Sequence, residues 1–293
     1  MNVIQTEKLT KYYGKSRGII DVDLSVEQGD FFGFIGPNAA GKSTTIRTLL
    51  GLISPTSGKA EVLGLDITLN KTEILSRVGY LPSETAFYSG MKASEIIKLS
   101  ADLHNAKCDA EAKLLCDRLS LDTDKKVGEL SYGNRKKLGI VCALQHRPEL
   151  YILDEPTGGL DPLMQKEFYE ILKERNEQDG ATVFLSSHIL TEVQKYCLRA
   201  AIIRDGKILA CDTVEKLSHT GAKRVLLRGV NAIPSLPQIK KPVISEDSVE
   251  FLYGGDVREL MKALSELPIT DVSITEPDLE EVFMHYYEKG ESK

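Results

Sequence analysis

The octapeptide Gly36-Pro37-Asn38-Ala39-Ala40-Gly41-Lys42-Ser43 constrains this chain more than any other feature. It fits G-x-x-x-x-G-K-[ST]. An apolar run, Phe31-Phe32-Gly33-Phe34-Ile35, precedes it, and a helical pattern from Lys42 to Leu50 follows and stops at Gly51. A strand, loop and helix in that order turn successive backbone N–H groups and a helix N-terminus toward one point, which makes a cradle for an anion. Side chains at Gly36 and Gly41 would obstruct the close approach of a phosphate. Lys42 brings a compact positive charge suited to β- and γ-phosphates, and the Ser43 hydroxyl suits Mg²⁺. Asn38, Ala39, Ala40 and Thr44 complete the run expected to touch nucleotide. An unbroken apolar strand is the mark of a parallel sheet covered on both faces, so the fold class expected is α/β.

The remaining sequence supports that class. Strand-like runs recur at Leu150–Leu153, Ala181–Leu185 and Arg199–Ile203, with helical stretches between them. Val22–Val26 alternates with period two, as a half-buried strand does. From Met91 to Leu121 the apolar residues Ile96, Ile97, Leu99, Leu103, Leu114, Leu115 and Leu119 keep helical spacing, with a break at Asn105–Asp109, and read as a helical insertion. Near Ser218 the style changes to a small α+β appendage. It has strands at Val225–Arg228, Val249–Tyr253 and Val272–Thr275, helices at Val257–Leu267 and Pro277–Tyr287, and a loop over Asn231–Lys241.

A second group of residues completes a hydrolytic reading. Tyr151-Ile152-Leu153-Asp154-Glu155-Pro156 is an apolar strand ending in two carboxylates. Asp154 suits Mg²⁺, opposite Ser43, and Glu155 suits the attacking water: one carboxylate for the metal, the other for the proton. A GTPase would want N-K-x-D for guanine, but the nearest match, Asn70-Lys71-Thr72-Glu73, ends in Glu.

Composition excludes several other classes. With 37 Lys+Arg against 43 Asp+Glu the net charge is −6, and no basic block marks a nucleic-acid partner; Arg135-Lys136-Lys137 reads as a solvated helix face. No apolar stretch approaches the ~18 residues of a membrane span. No secretory signal is visible, and the five cysteines, none spaced C-x-x-C, read as reduced thiols. The expected location is cytosolic.

Over roughly residues 1–215 these motifs resemble the nucleotide-binding subunit of ABC transporters. Leu130-Ser131-Tyr132-Gly133-Asn134 resembles the family's signature loop, usually L-S-G-G-Q. Gly158-Gly159-Leu160-Asp161 resembles the loop after the catalytic Glu, Ser186-Ser187-His188 the switch histidine, and Tyr13 the aromatic on which adenine stacks. The resemblance implies a P-loop NTPase fold with a β-subdomain and a helical subdomain at about 84–130. It divides the chain into an ATP-binding domain (1–217) and an accessory domain (218–293). It also implies ATP and Mg²⁺ as cofactors, with Lys42, Glu155 and His188 catalytic. Ser131 and Gly133 would meet nucleotide held by a second such subunit, in a homo- or heterodimer, so that ATP binding closes the dimer and hydrolysis releases it; Asp161 is a further nucleotide-binding candidate.

Tyr132 and Asn134 differ from the commonest signature letters, while Ser131 and Gly133 are retained. Two further departures concern the nucleotide side. Ala39 replaces a usual Gly inside the variable run, and Ser83 follows Pro82 where the family usually has Gln, leaving Ser83 or the neighbouring Glu84 as the metal-side residue. The family further implies separate transmembrane permease subunits that hold this subunit on the inner face of the membrane, with Phe87, Tyr88 and Met91 as candidate contacts. Pro277–Phe283 and Ile189–Val193 resemble bacterial exporters of the bacitracin and daunorubicin type. Two other readings of the same motifs are a non-transport ABC ATPase and a low-turnover regulatory module.

Overall fold

The chain opens with two long strands, β1 (Asn2–Tyr13) and β2 (Ser16–Glu27), in a computed structural model that describes residues 1–218 and 223–275. They pair antiparallel through several register shifts, and alternate residues such as Ile4, Leu9, Val22 and Leu24 turn inward. Next come β3 (Phe31–Ile35), α1 (Lys42–Leu49), β4 (Ser57–Val62), β5 (Leu65–Asp66), α2 (Lys71–Arg77) and β6 (Val78–Leu81). Strand β4 pairs antiparallel with β1 and with β5, giving the sheet order β2-β1-β4-β5.

The helical insertion consists of α3 (Ala93–Leu103) and α4 (Asp109–Arg118), both packed on α5 (Tyr132–Leu144). Its two helices and the break between them lie where the apolar spacing places them. The chain then runs through β7 (Leu150–Asp154), α6 (Pro162–Asp179), β8 (Thr182–Ser187), α7 (Leu190–Tyr196), β9 (Arg199–Arg204) and β10 (Lys207–Thr213). The central sheet has the order β10-β9-β3-β8-β7-β6, and the pairs β9·β3, β3·β8, β8·β7 and β7·β6 are all parallel. All five residues of β3, all five of β7 and all six of β8 are buried, which explains their lack of polar alternation. Phe184 on β8 lies at their centre, its ring 5.8 Å from Phe32 and 5.4 Å from Phe34.

The chain divides into two compact units, residues 1–211 and 212–293. The second contains α8 (Val214–Ser218), β11 (Lys223–Arg228), β12 (Ile239–Ser245), β13 (Ser248–Tyr253), α9 (Val257–Ser265) and β14 (Asp271–Thr275). Its antiparallel sheet, β12-β13-β11-β14, buries Val225, Leu227, Val249 and Phe251 with Leu260 and Leu264 of α9. The loop expected over Asn231–Lys241 is corrected at its end, because β12 starts at Ile239. Pro242 obscures the strand pattern, yet β12 is an edge strand with a register shift between Lys240 and Val243, where a residue without an N–H is tolerated. The helix expected from Pro277 to Tyr287 lies outside the described residues.

Phe184 supplies the test of this core. Phe184→Ala should lower unfolding stability by about 3–5 kcal/mol, read from urea denaturation, because the cavity opens in the core packed over the face of the sheet, among Phe32, Phe34 and their buried neighbours. A loss under about 1 kcal/mol would contradict this packing.

Candidate functional site

Parallel pairing explains why distant motifs meet. The phosphate-binding loop leaves the carboxyl end of β3, Asp154 and Glu155 close β7, and His188 follows β8. Strand β8 lies between β3 and β7, so all three segments emerge on one edge of the sheet, where ligands of open α/β sheets bind.

Gly41 makes the turn into α1 at φ 113°, a backbone conformation that side chains avoid, and a Cβ there would lie 2.9 Å from Ile19 Cγ2. The helix N-terminus carries no side-chain cap. Asn38, Ala39, Gly41, Lys42, Ser43 and Thr44 line a hollow of about 300 Å³ beside it, with Arg17, Gly18 and Glu155 on the facing side. Ala40 is buried and turned away, its carbonyl accepting from the Gly206 N–H at 2.9 Å. Gly36 contributes its carbonyl, which accepts from the Lys42 ammonium at 2.7 Å; the Pro37 carbonyl accepts at 3.1 Å. Lys42 Nζ also lies 3.1 Å from Glu155 Oε1, with only 5% of its side chain exposed. Tyr13, half exposed at the end of β1, is close to Gly18 at the rim: a Cβ on that glycine would lie 3.2 Å from its ring.

Adjacent carboxylates diverge because Glu155 adopts a positive φ of 47°, which costs a non-glycine residue about 1–2 kcal/mol. Asp154 is fully buried. Its Oδ1 accepts from the Ser186 hydroxyl at 2.6 Å, while Oδ2 is buried without a partner. An unpartnered buried carboxylate oxygen on the same sheet edge as Ser43 fits a divalent cation or a water bound to one. Glu155 is held from behind, its N–H donating to the carbonyl and hydroxyl of Ser186, both at 3.1 Å. Its Oε2 lies 3.4 Å from His188 Nδ1. Burial pushes the Glu155 carboxyl up, but Lys42, with His188 beside it, outweighs that and holds it below the ordinary carboxylate value. Glu155 is therefore an anion at neutral pH, tied to the lysine of the phosphate loop.

Other expected site residues lie apart. Ser131 is the N-cap of α5, its hydroxyl accepting from the Asn134 N–H at 3.3 Å, and Gly133 sits in the first turn. Asp161 caps α6 by accepting from Met164 N–H at 3.0 Å. None of the three lines the hollow. Neither Ser83 nor Glu84 lines it; Glu84 is exposed.

The sequence reading of Arg135–Lys137 as a solvated face is wrong for Lys136, which is only 1% exposed. Its ammonium donates to the carbonyls of Pro82 at 3.2 Å and Ser83 at 3.0 Å, tying α5 to the loop after β6. Burial pushes its pKa down to about 8, against partial support from Asp154 and Glu155. Three basic residues in a row gave no sign that the middle one turns inward. Ser186 stood in the Ser186-Ser187-His188 motif, but nothing in the sequence showed that it braces both carboxylates.

An apolar groove of about 490 Å³ lies on the helical insertion. Phe87 and Tyr88 line it, together with Ile96, Leu99 and Leu103, whereas Met91 is not part of the lining. Among the described residues no helix is long and apolar enough to cross a membrane.

Comparison with known proteins shows the family and the fold. The ABC transporter family profile matches residues 19–158. The bacitracin transport ATP-binding protein BcrA of Bacillus licheniformis is 35% identical over 96% of this chain and 96% of its own length. A solved ATP-binding subunit of an ABC transporter superposes with a TM-score of 0.69 at 29% identity, covering 73% of this chain and 91% of its own. A dimeric ATP-binding cassette in a post-hydrolysis state with ADP and Pi has a TM-score of 0.66 over 72% of this chain and 98% of its own. At 21% identity it shares the fold.

Lys136 yields a pH test. Between about 8 and its ordinary value of 10.5, the unfolded chain holds a proton on Lys136 that the native state has released. Stability therefore rises with pH through that window. The difference in unfolding free energy between wild type and Lys136→Met should climb from pH 8 to 10.5 in urea titrations. A flat difference would show that Lys136 is not buried as described.

Proposed function

Because this chain belongs to the ATP-binding subunit family of ABC transporters, we propose that Lys42 and Glu155 are the centre of its ATPase site and that it powers an exporter. The carrying observation is their ion pair at the phosphate-binding hollow: a cation suited to phosphate and a carboxylate suited to water share one position.

An incoming γ-phosphate competes with Glu155 for Lys42. Once displaced, the carboxylate is free to orient a water and take its proton as the water oxygen attacks the γ-phosphorus and the bond to the β-phosphate oxygen breaks. His188, beside Glu155, is placed to steady the γ-phosphate. Ser43 and Asp154 would hold Mg²⁺, which supplies neutralisation of phosphate charge. Asn38, Ala39 and Thr44 would bind phosphate oxygens, and Tyr13 would stack on the base.

Ser131 and Gly133 form a second helix N-terminus with anion-binding character, yet they are absent from the lining of the chain's own hollow. That supports their use, with Asp161, on nucleotide held by a second copy, so that ATP closes a dimer. The apolar groove at Phe87, Tyr88 and Leu103 supports docking of a separate permease subunit, which would hold the protein on the inner face of the membrane. Similarity to a bacitracin transport protein supports an antibiotic-like cargo.

Lys42→Ala should weaken MgATP binding ten- to hundredfold, from the roughly 1.5–3 kcal/mol of a charge-assisted contact. Glu155→Gln should bind MgATP at least as tightly as wild type and hydrolyse it about 10²–10⁴-fold more slowly. Rapid turnover by Glu155→Gln would refute its role. The shared site has its own test: Lys42→Ala and Ser131→Ala chains, each inactive alone, should regain ATPase activity when mixed, because a mixed dimer contains one intact site. No recovery on mixing would place both cradles in one chain.

A further inference from the structure

Tyr132 stands where the signature pattern L-S-G-G-Q has glycine, and its ring lies against Gly159, in the loop that follows Glu155. A Cβ on Gly159 would fall 2.2 Å and 2.3 Å from two carbons of that ring, so the ring occupies the space a side chain would take. Gly159 is also at φ +83°, a conformation glycine adopts at little cost. The contact is reciprocal: a Cβ on Gly133 would lie 2.7 Å from the Gly159 carbonyl oxygen. The first turn of α5 and the Gly158-Gly159 segment thus interlock at two points.

The loop between Glu155 and Asp161 is fastened at both ends. Glu155 is tied to Ser186, and Asp161 caps α6. Within it the Gly158 N–H donates to the Glu155 carbonyl at 3.4 Å and the Leu160 N–H to the Thr157 carbonyl at 3.1 Å. Gly158 and Gly159 are both exposed and have no side chains of their own to anchor them. The ring of Tyr132, itself 52% exposed, supplies that anchor.

We propose that Tyr132 is a positioning residue for hydrolysis: seated on Gly159, it fixes the loop behind Glu155 and passes displacement of the Ser131 anion cradle to the chain's own catalytic carboxylate. This rests on the ATPase reading above. Tyr132 touches no reacting atom; it acts through Gly159 and the backbone between Gly159 and Glu155. The contact uses the ring faces and edges, so the hydroxyl is dispensable.

A double-mutant cycle on the full-length protein tests it. Tyr132→Ala should lower kcat about tenfold while KM and nucleotide Kd stay within about twofold, and Tyr132→Phe should keep wild-type kcat. Gly159→Ala should also lower kcat, since its methyl meets the ring, and it perturbs the contact without altering α5 if Tyr132→Ala folds poorly. Combining the two should cost less than the product of the single effects, because removing the ring makes room for the methyl; the φ cost of alanine at 159 is common to both backgrounds and cancels. Amide exchange of Gly158 and Leu160 should speed up in Tyr132→Ala and not in Tyr132→Phe, whether or not nucleotide turns over. If wild type lacks ATPase activity, the proposed function fails and exchange alone judges the interlock. Multiplicative effects in the cycle, a Phe variant as slow as Ala, or unchanged exchange would each overturn the proposal.

Discussion

The ion pair between Lys42 and Glu155 is the interaction on which the site depends. Neither residue is placed by its own element alone. Lys42 is at the start of α1, aimed by the turn at Gly41 and by the carbonyls of Gly36 and Pro37. Glu155 reaches it because only one strand separates β7 from β3 and because its own backbone is bent into a left-handed conformation. Strand β8, between them, supplies Ser186, whose carbonyl and hydroxyl hold Glu155 in that bend while its hydroxyl donates to Asp154. One serine thus turns two adjacent carboxylates in different directions: Asp154 faces inward with an unpartnered oxygen, and Glu155 faces the loop that holds Lys42.

Such a pair is poised rather than inert. The carboxylate is an anion beside the lysine of the loop, and that lysine holds its pKa below the ordinary carboxylate value. Under the proposed mechanism two anions compete for one ammonium, so binding of phosphate would release the carboxylate. The helix start at Ser131 is not part of that hollow.

The sequence made some of this legible and hid the rest for identifiable reasons. Strands β3, β7 and β8 are buried on both faces, and their continuous apolar runs end at the residues that carry chemistry. The turn residues and carboxylates therefore stand out. By contrast β1, with its polar outer face and register shifts, lacks a clean alternation and could not be read. Lys136 was misread because charge alone indicates solvent, whereas two backbone carbonyls in the loop after β6 draw it inward. Tyr132 was visible as a departure, but its partner Gly159 lies 27 residues on in sequence and only the fold brings them together.

The exchange of Lys42 between two anions can be observed at the carboxylate itself. Selective ¹³C labelling of glutamate side chains, with Glu155 assigned by comparison with Glu155→Gln, gives its titration with and without a non-hydrolysable ATP analogue. A Glu155 pKa below the ordinary carboxylate value in the free protein, rising when the analogue binds, is the result expected if phosphate takes Lys42 from it. A titration that the analogue leaves unchanged, or moves further down, would contradict the account.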